Sequence, residues 1–120
     1  MDIFCKIIKG EIPSFTLFED DLVKVILDAH PENNGHSLII PKKHYTDIFD
    51  IDQKTLTHIL ETAKKMDKIF KEKLNSDGLT LIQNNGIAEE VKHFHLHLLP
   101  QYAYKQELID AEDVYHQIMD

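Results

Sequence analysis

Polar and hydrophobic positions alternate without interruption from His93 to Leu98, within the stretch from Lys92 to Pro100. Histidines occupy every second position, as His93, His95 and His97, with large apolar residues between them. Because residues two apart point to the same face of a β-strand, this pattern predicts a strand with imidazoles on one face and apolar side chains on the other. At ~3.3 Å per residue, neighbouring imidazoles would lie about 7 Å apart. Proline cannot donate to a ladder, so we expect regular pairing to end at Pro100.

Apolar residues recur with the period of a helix in other stretches. Asp2 is a plausible N-cap for a short helix over residues 3–8, which Gly10 would stop. A much longer helix is predicted over residues 52–74, where apolar positions recur every three or four residues and lysines fall mainly on the other side. The tail over residues 105–120 is also interpreted as helical.

Short apolar runs bounded by turn residues predict four further strands. These strands cover residues 16–19, 22–27, 36–40 and 79–84. The first two would form a hairpin around Asp20 and Asp21, and Pro41 would end the third. The predicted fold is therefore α+β: a single domain over residues 1–120, with about five strands in a mostly antiparallel sheet, the long helix on one face and a short N-terminal helix.

Composition narrows the class of protein. The chain has 120 residues, of which 42% are hydrophobic and 28% charged, as in ordinary soluble globular proteins. No apolar run approaches the ~20 residues that span a bilayer, and the first residues do not resemble a signal peptide. The single cysteine, Cys5, excludes an intrachain disulfide framework and fits a reducing interior. We therefore expect a cytoplasmic protein with no membrane partner.

The charge of the chain limits what it can bind. A net charge of −8 disfavours a nucleic-acid partner, whose backbone is also negative. All 13 basic residues are lysines, so a phosphate would be held by imidazoles, backbone N–H groups, hydroxyls or lysine. Three imidazoles on one face are costly to bury, because each needs a hydrogen-bond partner. An active site is thus a better interpretation of the histidine row than a structural role or a loose metal-binding tract.

The histidine row carries a resemblance to a known family. His93-Phe94-His95-Leu96-His97-Leu98-Leu99 matches the motif His-φ-His-φ-His-φ-φ, with φ apolar, of the histidine triad (HIT) superfamily. Further blocks resemble its Hint branch in the same order along the chain. These blocks are residues 3–8, 11–13, 18–21, 35–44 and 84–86. The resemblance covers residues 1–101, and the tail over residues 102–120 carries no part of it. It implies a HIT-like domain that pairs into a two-fold homodimer.

The resemblance implies a nucleotide hydrolase or nucleotidyl transferase that cleaves at the α-phosphate of a purine nucleotide, of the nucleoside phosphoramidate type. The expected partner is a purine nucleoside monophosphate or a derivative of it, and no cofactor would be required for catalysis. His95 corresponds to the nucleophile that forms a covalent nucleotidyl-histidine, a role that neutral imidazole suits near pH 7. His97 would stabilise charge on a phosphate oxygen. His36 and His93 would complete the catalytic set.

The nucleoside pocket is implied by the same resemblance. Asp28 corresponds to the carboxylate that accepts both ribose hydroxyls, although it could also be a turn aspartate. Three apolar residues correspond to the wall around the base, a role that the sequence does not distinguish from ordinary core packing. They are Phe4, Ile7 and Ile26. Asn84 corresponds to a contact on the phosphate side, and Val91 is assigned to the same pocket.

A structural zinc site also follows from the resemblance. Some relatives bind zinc through a Cys-x-x-Cys pair and two histidines, and the corresponding residues here are Asp2, Cys5, His44 and His93. Asp is an acceptable zinc ligand, so a tetrahedral site stays chemically open although one thiolate is missing. With metal bound, His93 would be structural and not catalytic.

The loop before the triad departs from the family pattern. Relatives usually have a Gly-Gln pair and often a hydroxyl residue there, whereas this chain has Glu89 and Glu90. A carboxylate ~4 Å from a phosphate is repelled by roughly 1–4 kcal/mol. Either the glutamates turn outward, or the leaving group is a cation or an amine. Two other functions stay open: hydrolysis of a dinucleoside polyphosphate, and nucleotide or partner binding without catalysis.

Overall fold

The structure is a computed structural model that describes residues 2–120. Three α-helices and five strands occur in this part of the chain. The helices are α1 (Ile3–Ile8), α2 (Gln53–Leu74) and α3 (Ala111–Met119), and the strands are β1 (Thr16–Glu19), β2 (Val23–Leu27), β3 (Ser37–Pro41), β4 (Gly78–Ile82) and β5 (Leu96–Gln101). All neighbouring strands are antiparallel, in the order β1-β2-β3-β5-β4. The predicted α+β class and five-stranded sheet are confirmed.

Side-chain caps begin the first two helices. The carboxylate of Asp2 accepts a hydrogen bond from Cys5 N (2.8 Å) at the start of α1. Asp52 accepts one from Thr55 N (2.8 Å) at the start of α2. Each bond satisfies a backbone N–H that has no partner within the helix. The long helix α2 ends at Asn75, whose φ of 58° lies in the left-handed region that asparagine tolerates.

The two faces of the sheet pack against different helices. One face forms the main core with α2 and α3, through residues such as Ile39, Ile59 and Phe70. The other face packs against α1, where Phe4 and Ile7 meet residues of β2 and β3. Because side chains alternate along a strand, each strand of the sheet centre supplies apolar residues to both layers. The long helix covers one face, as predicted, and the functional cleft forms on the other.

The histidine strand begins later than the alternation predicts. β5 starts at Leu96, so His93 and His95 lie in the segment before the ladder. The register of β3 against β5 ends at the pair that contains Leu96, and Phe94 N donates instead to Tyr45 O (2.7 Å). The alternation of faces continues through this segment, because Phe94 is buried in the main core. Periodicity therefore identifies the faces correctly but not the start of the strand.

Regular pairing does not end at Pro100, contrary to the prediction. Pairing with β3 ends at Leu98, but pairing with β4 continues through Pro100 to Gln101. Proline lacks the backbone N–H but keeps its carbonyl oxygen. That oxygen accepts a hydrogen bond from Asn33 Nδ2 (2.8 Å).

The C-terminal tail folds back onto the sheet. Part of it is helical, as predicted, and Val114 and Ile118 of α3 are buried in the main core. Asn34 tethers the segment before α3: its Nδ2 donates to Glu107 O (2.9 Å), and its Oδ1 accepts from Ile109 N (3.0 Å). Between residues 2 and 120, none of the helices combines the length and apolar character needed to cross a membrane.

Candidate active site

A cleft of about 990 Å³ lies on the face of the sheet that packs against α1. The residues of the predicted nucleoside pocket that line it are Phe4, Ile7, Ile26, Asp28, Asn84 and Val91. Three of these residues also belong to the buried apolar cluster between α1 and the sheet: Phe4, Ile7 and Ile26. Each is therefore both a core residue and part of the cleft wall. His95 and His97 line the same cleft.

His95 presents one nitrogen to the cleft while the backbone holds the other. Its side chain is 6% exposed, and Nδ1 lies 2.8 Å from His93 O. A carbonyl oxygen can only accept, so Nδ1 carries the proton and the lone pair of the neutral ring is on Nε2. The ring of Phe4 packs beside it, with the ring centroids 4.7 Å apart. Such a ring is oriented as a nucleophile must be.

His36 and His97 form a hydrogen-bond chain with a fixed direction. Glu32 N donates to His36 Nδ1 (3.0 Å), so the proton of the neutral His36 ring is on Nε2. His36 Nε2 then donates to His97 Nδ1 (3.0 Å), which leaves the N–H of His97 at Nε2. Burial lowers the pKa of both histidines. Both rings are therefore neutral near pH 7, as this chain requires.

The carboxylate of Asp28 serves both a turn and the site. Oδ1 accepts a hydrogen bond from His30 N (2.8 Å), so the turn interpretation is correct for one oxygen. Oδ2 lies 3.4 Å from His36 Nε2 and 3.9 Å from His97 Nδ1. This second oxygen is at the wall of the cleft beside the histidines.

The imidazole of His93 lies away from the cleft, so its expected place among the catalytic side chains needs correction. The side chain is 0% exposed, and Nε2 donates to Pro41 O (3.1 Å). This bond turns Nδ1 toward Cys5 Sγ (3.4 Å) and Asp2 Oδ2 (3.3 Å). Its ring packs against Phe4 and His44, with ring centroids 5.9 Å and 4.8 Å away, outside the cleft. Its contribution to the site is the carbonyl oxygen that orients His95.

The predicted metal ligands Asp2, Cys5, His44 and His93 converge, with their ligand atoms within 4.8 Å of one another. Asp2 Oδ2 lies 3.2 Å from His44 Nε2 and 3.5 Å from Cys5 Sγ. Tetrahedral zinc with bonds of ~2.0–2.3 Å needs ligand atoms roughly 3.3–3.7 Å apart, so this donor set fits zinc. Burial raises the pKa of Cys5 and lowers that of His93. A cation at the centre would favour both the thiolate and the neutral imidazole.

The loop before β5 brings both glutamates to the cleft, and one of them contacts His95. Glu89 Oε2 lies 3.2 Å from His95 Nε2, and Glu89 Oε1 accepts from Val91 N (3.0 Å). The ammonium group of Lys92 donates to two backbone oxygens of the same loop and braces it. Glu90 is exposed.

Some residues of the site carry no signal in the sequence. Glu32 acts on His36 through its backbone N–H, which any residue type except proline could supply. Phe15 also lines the cleft. So does Ala111 of the C-terminal tail, to which the sequence assigns no part in the site. A pattern of residue types does not reveal contacts of this kind, because they arise from the path of the backbone.

Comparison with known proteins identifies the family. The HIT domain family matches residues 9–104. The chain is 40% identical over 116 residues to an uncharacterized HIT-like protein of Methanocaldococcus jannaschii, covering 95% of this chain and 89% of that protein. It is 46% identical over 109 residues to an adenosine 5'-monophosphoramidase of Saccharomyces cerevisiae, covering 89% of this chain and 66% of that protein. The chain therefore belongs to the HIT family.

Solved structures agree with this assignment. A zinc-bound histidine triad family protein from Mycobacterium smegmatis is 29% identical, with a TM-score of 0.89 over 97% of this chain and 88% of that one. The fold is a single α+β HIT fold. Both the family and the Hint-like character of its relatives, inferred from the motif, are confirmed.

Proposed function

We propose that this protein hydrolyses purine nucleoside phosphoramidates, with His95 attacking the α-phosphorus to form a covalent nucleotidyl-histidine. The observation that carries the proposal is the orientation of His95, whose Nδ1–H is bonded to His93 O while Nε2 is directed to the cleft. When Nε2 bonds to phosphorus the ring becomes positive, and the same hydrogen bond stabilises that charge. The yeast relative, named an adenosine 5'-monophosphoramidase, supports this substrate class.

In this proposal His97 stabilises the phosphate. The direction of the hydrogen-bond chain leaves the N–H of His97 Nε2 free to donate to a non-bridging phosphate oxygen. A donor that is already oriented needs little reorganisation when charge develops in the transition state. His36 is a positioning residue, because it acts by holding His97 in this tautomer.

The nucleoside would lie along the apolar wall formed by Phe4 and its neighbours. Apolar contact recognises the flat shape of a purine and does not read its hydrogen-bonding edge. Asp28 Oδ2 would accept from the ribose hydroxyls, while Asn84 and Val91 border the phosphate side.

We also propose that Asp2, Cys5, His44 and His93 hold a structural zinc. When bound, the ion supplies rigidity, because it would tie the N-terminus of α1 to the segment before β5. Since His93 O orients His95, the same four residues would support the nucleophile from outside the cleft. The zinc-bound relative from Mycobacterium smegmatis supports this proposal.

The test compares an adenosine 5'-phosphoramidate with a diadenosine polyphosphate as substrates of the purified protein. We expect AMP release from the phosphoramidate at a kcat/KM at least tenfold higher. His95→Asn should lower kcat by roughly 10³-fold or more while AMP still binds, because chemistry needs the nucleophile more than ground-state binding does.

His116→Asn is the matched control, since His116 is exposed on α3. Its kcat should equal that of the wild type. Retention of a tenth of wild-type activity by His95→Asn would show that another residue is the nucleophile. A preference for the polyphosphate would overturn the proposed substrate class.

A further inference from the structure

The carboxylate of Glu89 lies against the nitrogen that the proposed function makes the nucleophile. Oε2 is 3.2 Å from His95 Nε2, with the two side chains 11% and 6% exposed. Oε1 is held from the other side by Val91 N at 3.0 Å. Lys92 braces the backbone of the same loop. The fold therefore holds this carboxylate at the reacting atom.

The contact requires a proton between the two groups. Nδ1 of His95 already donates to His93 O, so a neutral His95 ring has a bare lone pair on Nε2. A lone pair and an ionised carboxylate oxygen cannot form a hydrogen bond with each other. The contact is therefore a hydrogen bond when Glu89 Oε2 carries a proton, and that proton lies on the side from which a phosphate would approach.

Resting on the proposed function, we propose that Glu89 is the general acid and then the general base of the reaction. As the substrate enters, the proton stays on Glu89 and the lone pair of His95 Nε2 becomes free. His95 Nε2 then bonds to phosphorus and the P–N bond of the substrate breaks. Protonated Glu89 gives its proton to the departing nitrogen, which leaves as a neutral amine, and Glu89 becomes a carboxylate.

The second half of the reaction restores both groups. Water attacks phosphorus from the side that the amine has left, and the Glu89 carboxylate takes a proton from it. The bond between phosphorus and His95 Nε2 breaks, and the nucleoside monophosphate is released. His95 is again neutral with its proton on Nδ1, and Glu89 is again protonated. The sum is one P–N bond cleaved by one water molecule.

The position of Glu89 suits both steps. In-line attack places the leaving nitrogen, and later the water, opposite the nucleophilic nitrogen. A carboxylate that lies against Nε2 borders the space that the α-phosphate and its leaving group must enter. Glutamine, which the resemblance leads one to expect here, could neither supply nor accept this proton.

The experiment uses two AMP derivatives that differ in their leaving group. One is the phosphoramidate of an alkylamine, which cannot leave without a proton. The other is the p-nitrophenyl ester, which leaves as a stable anion. Single-turnover rates of Glu89→Gln should fall by about 100-fold or more for the alkylamide, the range expected for general acid catalysis. The burst of nitrophenolate should stay within about threefold of the wild-type rate, while the nucleotidyl-enzyme accumulates and is detected by intact mass.

Two further variants make the test decisive. Glu72→Gln, at an exposed position of α2 on the other side of the sheet from the cleft, should match the wild type on both substrates. Formate should restore the alkylamide rate of Glu89→Ala by tenfold or more, even if Glu89→Gln folds poorly. Equal losses of rate on both substrates would assign Glu89 a structural role. Higher rates on both would show that Glu89 blocks access to His95. Either result overturns the inference but leaves the proposed function standing. A wild-type protein inactive on both substrates would overturn the proposed function, and this inference with it.

Discussion

Gly35 lies in the turn before His36 and packs against the end of α2. We expect Gly35→Ala to lower the stability of the protein and to disturb the candidate active site. The φ of Gly35 is +90°, in a region that costs an L-residue about 1–2 kcal/mol. An added Cβ would lie 2.7 Å from Leu74 Cδ1 and 3.1 Å from Pro100 Cγ. Overpacking of this kind costs a further ~1–3 kcal/mol. The expected loss is therefore about 2–5 kcal/mol, out of the ~5–15 kcal/mol that stabilise a typical domain.

Urea unfolding measures this loss, and Gly10→Ala is its matched control. Gly10 has a similar φ of +80°, but an added Cβ there would meet nothing within 4 Å. Its replacement should cost only the backbone part, about 1–2 kcal/mol. Gly35→Ala should also lower kcat on the phosphoramidate, because the next residue is His36, whereas Gly10→Ala should not. Equal losses of stability in the two variants would refute the steric reasoning.

Three further predictions concern metal, pH and assembly. Protein purified without chelators should contain about one zinc per chain. Cys5→Ser should lose the zinc and be less stable to heat. A stable, metal-free wild-type protein would contradict this and would make Cys5 an apolar core residue. Burial lowers the pKa of His36 and His97 in the folded state. Just below pH 6.5 the unfolded chain therefore binds more protons than the folded protein does. As the pH is lowered through this range, the free energy of unfolding should fall by up to about 1.4 kcal/mol per pH unit for each histidine. Urea unfolding at pH 7.5 and 5.5 measures this change, and equal stability at both would contradict it. Light scattering should give twice the chain mass of 14.0 kDa. The reason is that the edge strand β4 exposes Leu81 and Ile82, which can pair with a second copy in an interface above ~1,000 Å². The mass of one chain would contradict a dimer.

The sequence by itself determined the features that repeat along the chain. The apolar period of residues 52–74 predicts α2 to within one residue, because an amphipathic helix must place its apolar side chains on one face. The alternation from His93 to Leu98 separates the core face from the histidine face for the same kind of reason. The order of blocks around the motif is also enough to identify the family, since it requires no knowledge of distances in space.

Tertiary structure alone decided the contacts between residues far apart in sequence. β5 begins at Leu96, where its pairing with β3 starts, and the ring of His93 before it lies against Asp2 and Cys5. Nothing in the order of residues indicates which glutamate of the loop contacts His95, because a backbone N–H and a buried imidazole select Glu89. Local periodicity determines which face a side chain occupies, but the partner it meets there depends on how the whole chain is packed.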